Sequence, residues 1–113
     1  MTAAYAPDRG DLVWLDFTPQ SGHEQAGRRP ALVLSPSAYN TKSGLMLCCP
    51  VTNQAKGYPF EVAVVPASGA ATGVVLADQV RCLDWRARKA LKFAAVTVQC
   101  ALDVSAKVKL LLP

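Results

Sequence analysis

The chain has 113 residues, which is enough for one domain with one hydrophobic core. Hydrophobic residues make up 51% and charged residues 18%, a balance that excludes an intrinsically disordered chain. The formal net charge of +4 favours a polyanionic partner only weakly, because many basic proteins bind nothing anionic. Seven glycines and eight prolines indicate many turns and therefore a fold rich in short β-strands.

Most predicted elements are short strands of β-branched and apolar residues, separated by turn-forming residues. The predicted strands span residues 11–17, 31–34, 45–51, 60–64, 74–77 and, in extended form, 78–85. The predicted turns and connections span residues 18–22, 24–30, 39–44 and 68–73. The run at 45–51 is the most apolar, which favours a central position in a sheet.

The pattern changes near the C-terminus, where residues 97–112 have helical periodicity. Thr97 is a candidate N-cap, and Val98, Leu102, Val108 and Leu112 are predicted to share one face of the helix. Five to seven short strands and one helix predict a single, mainly β domain over residues 1–113. Because short all-β chains avoid open edges by curling, we expect a small barrel with a C-terminal α-helix.

The four cysteines form no C-x-x-C pair, which argues against a zinc site. We interpret them as small buried hydrophobes in a reducing compartment, with Cys48 and Cys49 on opposite faces of a strand. The first nine residues hold no apolar core of signal-peptide length, and no run approaches the roughly 18 apolar residues of a membrane span. We therefore expect a cytoplasmic protein with no membrane contact.

The loop at residues 24–30 is the strongest candidate site. It carries one carboxylate, Glu24, and two guanidinium groups, Arg28 and Arg29, directly before a buried strand. A charged loop on a rigid scaffold is a usual place for function, and arginine pairs suit phosphate. A second basic segment, residues 81–92, contains five lysines and arginines against the single acid Asp84.

Several ordered motifs together resemble the MazF/PemK toxin family of type II toxin–antitoxin systems. They include Gly27-Arg28-Arg29-Pro30 and Pro50-Val51-Thr52, and the full set spans residues 10–17, 24–30, 33–36, 50–52, 56–62 and 76–80. The resemblance implies an SH3-like barrel of the MazF/CcdB/PemK kind that works as a homodimer. It also implies a toxin that inhibits translation and growth, and a MazE-like antitoxin whose acidic tail covers the site. DNA would be contacted only indirectly, through that antitoxin.

The activity implied by the resemblance is sequence-specific cleavage of single-stranded RNA, often mRNA, without metal or other cofactor. The products would carry 2′,3′-cyclic phosphate and 5′-hydroxyl ends. Such cleavage needs a deprotonated 2′-hydroxyl, a stabilised phosphorane, a protonated leaving group and in-line geometry. The single histidine, His23, excludes a two-histidine pair within one subunit, and we assign it no role.

Catalytic roles are carried over to Arg29, Thr52 and Glu24. The motif match makes Arg29 the stabiliser of the transition-state charge, with proton donation to the leaving group as a lesser role, and Thr52 a ligand of phosphate or of the 2′-hydroxyl. Glu24 is the candidate general base. Each residue also has a structural alternative: Arg29 or Glu24 in a salt bridge, and Thr52 capping backbone groups at a strand end.

Binding roles are predicted for polar residues outside the catalytic set. The candidate RNA-binding residues are Arg28, Gln79, Arg81, Arg86 and Arg88. Part of the basic segment can instead be a solvated strand face or bind the antitoxin, and Gln79 or Asp78 can support a loop instead of touching a base. Base stacking by Trp14, Phe17, Tyr39 or Tyr58 competes with packing in the core or a dimer interface. Loops 18–27 and 67–73 are expected to select the RNA sequence.

Two other functions compete with the nuclease. A toxin of the same fold can poison a protein such as DNA gyrase without cutting RNA, and a catalytically dead module can simply bind nucleic acid. The presence of both Arg29 and Thr52 favours the nuclease, because a pure protein binder needs neither.

Overall fold

The strands form one curled antiparallel sheet in a computed structural model that describes residues 5–16 and 27–113. The strands are β1 (Asp11–Asp16), β2 (Arg28–Val33), β3 (Leu45–Thr52), β4 (Glu61–Ala63), β5 (Pro66–Gly69), β6 (Val74–Leu76), β7 (Arg81–Asp84) and β8 (Leu91–Val96). The helices are α1 (Ser37–Ser43) and α2 (Val98–Lys109), and a 3-10 turn spans Ala77–Gln79. The predicted mainly β fold with a C-terminal helix is confirmed.

The order of strands in the sheet is β4-β6-β3-β2-β1-β8-β5, and β7 also pairs with β3. One edge of β3 therefore has two successive partners. Leu45 to Cys48 pair with β7, whereas Val51 and Thr52 pair with β6. Pro50 lies between these two ladders and has no N–H to donate to a third strand. The sheet divides at this proline, and the 3-10 turn crosses the gap between β6 and β7.

Each face of the sheet packs against its own hydrophobic core, because side chains alternate along a strand. One core lies under α2 and includes Leu12, Leu32, Cys49, Val75 and Val104. The other includes Val13, Leu15, Val33, Met46, Cys48 and Trp85. The prediction that Cys48 and Cys49 point to opposite faces is thus confirmed, and burial raises the pKa of both thiols to about 12. The interpretation as buried hydrophobes is wrong for Cys82, which is exposed.

Helix α2 begins at the residue that the sequence predicts. The hydroxyl of Thr97 accepts a hydrogen bond from the Cys100 backbone N–H at 3.1 Å, as an N-cap should. The predicted apolar face is wrong, however, at Val98, Leu102 and Leu112, which are 77%, 56% and 62% exposed. The buried face consists of Cys100, Ala101, Val104 and Val108. Small residues bring the helix close to the sheet, and a pattern of large side chains does not reveal them.

Helix α1 occupies a segment that the sequence predicts to be a polar connection. Its N-cap position is Pro36, which has no side-chain acceptor, and the Asp8 carboxylate takes that place by accepting from the Ser37 backbone N–H at 2.9 Å. This bond and a second one from the Arg9 backbone hold the pKa of Asp8 below its usual value. A cap supplied from a distant segment leaves no local sequence signal.

Two strands at one end of the sheet are not recognisable in the sequence. Strand β5 covers part of the predicted flexible connection at 68–73, and β8 lies in a segment that received no assignment. All of β5 is exposed, so it has no alternation of buried and exposed residues. Pairing with β8, from Pro66 opposite Val96 to Gly69 opposite Ala94, holds β5 in the sheet. The extended segment predicted at 78–85 contains the 3-10 turn before β7.

Asn40 joins three parts of the chain around α1. It is fully buried, and its amide nitrogen donates to the carbonyl oxygens of Pro7 at 2.9 Å and Ser35 at 3.0 Å. Its amide oxygen accepts from the Ser35 hydroxyl, and its backbone carbonyl accepts from the indole N–H of Trp85 at 2.8 Å. Every polar atom of this side chain is therefore paired, as burial requires.

Replacing Asn40 with alanine should destabilise the fold by roughly 2 to 4 kcal/mol, because it leaves two buried carbonyls without a donor. Urea unfolding followed by circular dichroism measures this loss. The neighbouring change Thr41→Ala, at an exposed position of the same helix, is the control and should stay within about 0.5 kcal/mol. Equal stability of the two variants would contradict the bonding described for Asn40.

Candidate active site

A groove of about 520 Å³ opens where the sheet divides at Pro50. It is lined from β2 and β3 by Arg29, Pro30, Pro50, Val51 and Thr52, from the turn and β7 by Leu76, Asp78, Gln79 and Arg81, and from the segment after β3 by Gln54, Lys56, Tyr58 and Glu61. Arg29 and Thr52, the two residues to which the resemblance assigns catalytic roles, line the same groove. Gln79 and Arg81, two of the predicted RNA-binding residues, line the same groove.

The register between β2 and β3 explains how Arg29 and Thr52 meet. Ala31 pairs with Pro50, and each step toward the start of β2 moves the partner one residue further along β3. Arg29 lies two residues before Ala31, and Thr52 lies two residues after Pro50, so both project from the same end of this ladder. On the other side of β2, Arg29 pairs with Leu15 of β1, which fixes the face on which its side chain lies. Residues two apart on a strand share one face, so Arg29 lies on the face of Ala31 and Thr52 on the face of Pro50, and both line the groove.

The hydroxyl of Thr52 is oriented by its own backbone turn. Its oxygen accepts a hydrogen bond from the Gln54 backbone N–H at 3.1 Å. A hydroxyl that already accepts one bond keeps its hydrogen to donate elsewhere. The predicted alternative, a threonine that satisfies backbone groups at a strand end, is thus partly true and compatible with donation to a phosphate oxygen.

Glu61 also lines the groove, and the sequence did not identify it as a site residue. Its carboxylate accepts from the Gly57 backbone N–H at 3.0 Å and from the Lys56 backbone N–H at 3.1 and 3.2 Å. These bonds hold the turn that carries Tyr58, whose side chain is 60% exposed at the groove. The sequence signal that could have identified Glu61 is the turn Lys56-Gly57-Tyr58-Pro59, which comes shortly before this carboxylate.

The remaining predicted arginines lie away from the groove. Arg28 pairs with the Asp16 carboxylate on the opposite side of β2. Arg86 stacks over the ring of Trp85, 4.5 Å from its centroid, and donates to the Thr41 carbonyl. Arg88 donates to the Asp16 backbone carbonyl at 3.2 Å. The groove thus collects two of the five predicted RNA-binding residues.

The aromatic candidates also separate by position. Tyr58 lies at the groove and Tyr39 is exposed on α1, whereas Trp14 is half-buried and stacks on Phe93 with a centroid distance of 4.7 Å. For Trp14, internal packing is therefore the observed role. The predicted base Glu24, together with His23 and Phe17, lies outside the described residues.

Within residues 5–16 and 27–113, no three His, Cys, Asp or Glu side chains lie close enough together to hold a metal ion. In the same part of the chain, no helix combines the length and the apolar character needed to cross a membrane.

The fold and the groove define a small β-sheet protein that presents a guanidinium group and a hydroxyl in one cleft. Residues 8–112 match the family described as PemK-like, MazF-like toxin of type II toxin–antitoxin system. The chain belongs to this family.

Among its relatives, the Escherichia coli (strain K12) endoribonuclease toxin MazF is 51% identical over 112 residues, which is 99% of each chain. The endoribonuclease toxin ChpB of the same strain is 47% identical over 87 residues, or 74% of each chain. The crystal structure of MazF (form I) from Deinococcus radiodurans matches with a TM-score of 0.84 at 59% identity and covers 96% of this chain and 98% of that one. A MazE–MazF structure (form III) from the same organism matches with a TM-score of 0.85 at 56% identity and covers 96% and 97% of the two chains.

The wall behind Thr52 requires a glycine at position 73. Gly73 has a φ of +106°, and a Cβ there would lie 2.4 Å from the Thr52 carbonyl oxygen. Gly27 has the same φ, but a Cβ at that position would meet no atom of the described residues within 4 Å. A substitution at Gly27 therefore isolates the conformational cost of a side chain at positive φ.

Gly73→Ala should therefore reduce the free energy of unfolding by about 1 to 3 kcal/mol more than Gly27→Ala, because among residues 5–16 and 27–113 only the first change adds a backbone collision. Chemical denaturation of the two variants measures the difference. Equal losses would show that the segment before β6 does not pack against Thr52 as described.

Proposed function

We propose that this chain is the toxin of a type II toxin–antitoxin system and acts as an endoribonuclease that cleaves single-stranded RNA, including mRNA, in the groove at Pro50. The observation that carries the proposal is the meeting of Arg29 and Thr52 from two strands in one cleft that also holds Arg81. The family membership and the activity named for the relatives at 51% and 47% identity support it.

In the proposed reaction, the 2′-hydroxyl oxygen attacks the adjacent phosphorus and the bond from phosphorus to the 5′-oxygen breaks. The 2′-hydroxyl loses its proton to a base, and the 5′-oxygen gains one from an acid. The products are a 2′,3′-cyclic phosphate and a 5′-hydroxyl, so no water is consumed at this step. No metal is required if the protein itself offsets the charge on the phosphorane.

Arg29 is proposed to offset that charge, because its planar guanidinium can donate two parallel hydrogen bonds to phosphate oxygens. Thr52, whose oxygen already accepts from Gln54, donates its hydroxyl hydrogen to the same phosphate. Glu24 remains the proposed base. The Glu61 carboxylate is a poor substitute, because its oxygens already accept hydrogen bonds from the backbone N–H groups of Lys56 and Gly57.

Arg81 and Gln79 are proposed to bind the RNA strand on the β7 side of the groove. Arg81 is exposed and pairs with Cys48 across the ladder between β3 and β7, so the sheet supports its backbone. Arg28, Arg86 and Arg88 already have partners within the protein, and a phosphate would have to compete with those partners.

The biological partners follow from the family. We propose that the chain works in the cytoplasm as a homodimer, that a MazE-like antitoxin neutralises it, and that it reaches DNA only through that antitoxin. The MazE–MazF structures from Deinococcus radiodurans support the antitoxin as a partner.

Purified protein incubated with single-stranded RNA in EDTA should cut at a short recurring sequence and leave cyclic phosphate ends. Arg29→Ala should lower the rate on the order of 10²- to 10³-fold, the usual effect of losing a donor to a developing oxyanion. Thr52→Val should lower it by about tenfold or more through the loss of one hydrogen bond. Mass spectrometry of the fragments identifies the ends.

Arg29→Lys is the matched control for charge, since it keeps the positive charge but loses the two parallel N–H donors of the guanidinium. It should retain only part of the activity. Thr41→Val removes a hydroxyl from an exposed position of α1 and should leave the rate unchanged. Intact RNA after prolonged incubation with the wild-type protein would falsify the nuclease. Undiminished cutting by Arg29→Ala would instead remove only the role assigned to Arg29.

RNA affinity should fall steeply as salt rises, because phosphate contacts release counterions. Arg81→Ala should reduce the slope of log affinity against log salt by roughly 0.7 for single-stranded RNA, the effect of one phosphate contact. Arg86→Ala should leave the slope unchanged, because its guanidinium is engaged with Trp85 and Thr41. Fluorescence anisotropy at several salt concentrations measures both slopes, and an equal fall in the two would place the RNA across both sides of the protein.

A further inference from the structure

Arg28 lies next to Arg29 in sequence but on the other side of β2. Its Nη1 atom donates to the Asp16 carboxylate, and its Nη2 atom donates to the backbone carbonyls of Trp14 at 3.2 Å and Lys89 at 2.6 Å. The side chain of Arg28 thus connects three segments: the start of β2, to which it belongs, the end of β1 and the turn before β8.

The turn that Arg28 contacts has an unusual backbone conformation at Lys89. Lys89 has a φ of +55°, the one positive value among the described residues other than glycine, and its carbonyl accepts from Arg28. The same turn is tied to Asp16 from a second direction: the Asp16 N–H donates to the Arg88 carbonyl at 2.8 Å, and the Arg88 side chain donates to the Asp16 carbonyl. Asp16 is therefore held by two arginines, one from each neighbouring segment.

This arrangement has a direct consequence for Arg29. Arg28 and Arg29 open β2 directly after Gly27, whose φ of +106° marks the point where the strand begins. Arg28 pairs with Asp16 and Arg29 pairs with Leu15, at the end of the ladder between β1 and β2. Because consecutive residues of a strand point to opposite faces, a contact that secures Arg28 on one face also sets the direction of Arg29 on the other.

We propose that Arg28 is a positioning residue for the reaction: together with Asp16 and the Lys89 carbonyl, it holds the first residues of β2 so that Arg29 points into the groove. The proposal rests on the nuclease function proposed above. It replaces RNA binding as the role of Arg28, because a phosphate that approached this guanidinium would have to displace the Asp16 carboxylate and would be repelled by it.

The two roles of Arg28 predict different kinetics. A positioning residue acts on the step in which Arg29 stabilises charge, so Arg28→Ala should lower kcat by about tenfold to a hundredfold and leave KM within about twofold. The slope of RNA affinity against salt should not change. A phosphate-binding residue would raise KM and reduce that slope instead.

Asp16→Asn provides the decisive comparison, because it removes the partner and not the guanidinium. If Arg28 positions Arg29, Asp16→Asn should lower kcat in the same way, and the double variant should lose little more than either single variant. Arg28→Lys keeps the positive charge but loses the several N–H donors of the guanidinium, so its kcat should lie between those of wild type and Arg28→Ala. Lys42→Ala, which removes an exposed charge from α1, is the control for net charge and should behave as wild type.

Initial rates on a fluorogenic RNA, measured with circular dichroism of each variant, test the proposal. A raised KM with a reduced salt slope in Arg28→Ala, together with undiminished kcat in Asp16→Asn, would overturn it. Should Arg28→Ala fail to fold, Arg28→Lys and Asp16→Asn still provide the comparison. If the wild-type protein does not cut RNA, the nuclease function itself is refuted. If the wild-type protein cuts RNA and the Arg28 and Asp16 variants cut it equally fast, only the positioning role of Arg28 is refuted.

Discussion

The site depends on the break in hydrogen bonding along one edge of β3. An antiparallel ladder needs an N–H donor at alternate positions, and Pro50 has none. Strand β7 therefore pairs with the first half of β3 and β6 with its end, and the chain crosses between them in a single 3-10 turn. The space left open is the groove, and Thr52, Gln79 and Arg81 reach it because each lies at the end or start of an element that stops there.

Because successive residues of a strand point to opposite faces, neighbouring arginines in this protein have different roles. Arg29 faces the groove, while Arg28 joins Asp16 and the turn at Lys89. Arg86 and Arg88 are likewise occupied by Trp85 and by Asp16. A high local density of arginine therefore does not by itself mark a nucleic-acid surface, since guanidinium groups also bind backbone carbonyls and aromatic rings.

Prediction from the sequence succeeded where one segment carries its own signal. The apolar strand β3, the strand β1, the buried half of β2 and the start of α2 at Thr97 were recognised because alternation, length and capping are local properties. The first half of β2, Arg28 to Pro30, was wrongly predicted as loop, because two charged residues and a proline are not typical of a strand. Strand β5 is wholly exposed and α1 is capped by Asp8 from another part of the chain, so neither carries such a signal. The buried face of α2 was misplaced because small residues, and not the largest side chains, contact the sheet.

By itself, the sequence determined the family, the mainly β fold and the chemical groups on offer: the arginine of a Gly-x-Arg-Pro motif and a threonine after a buried strand. Motif order and composition suffice for this, because they are carried by the chain in any conformation. Only the tertiary structure decided that Arg29 and Thr52 line one groove, that Glu61 holds a turn in place and that Arg28 points away to Asp16. Strand register and partner choice are long-range properties, and the same residues in another register would present the other face of every strand.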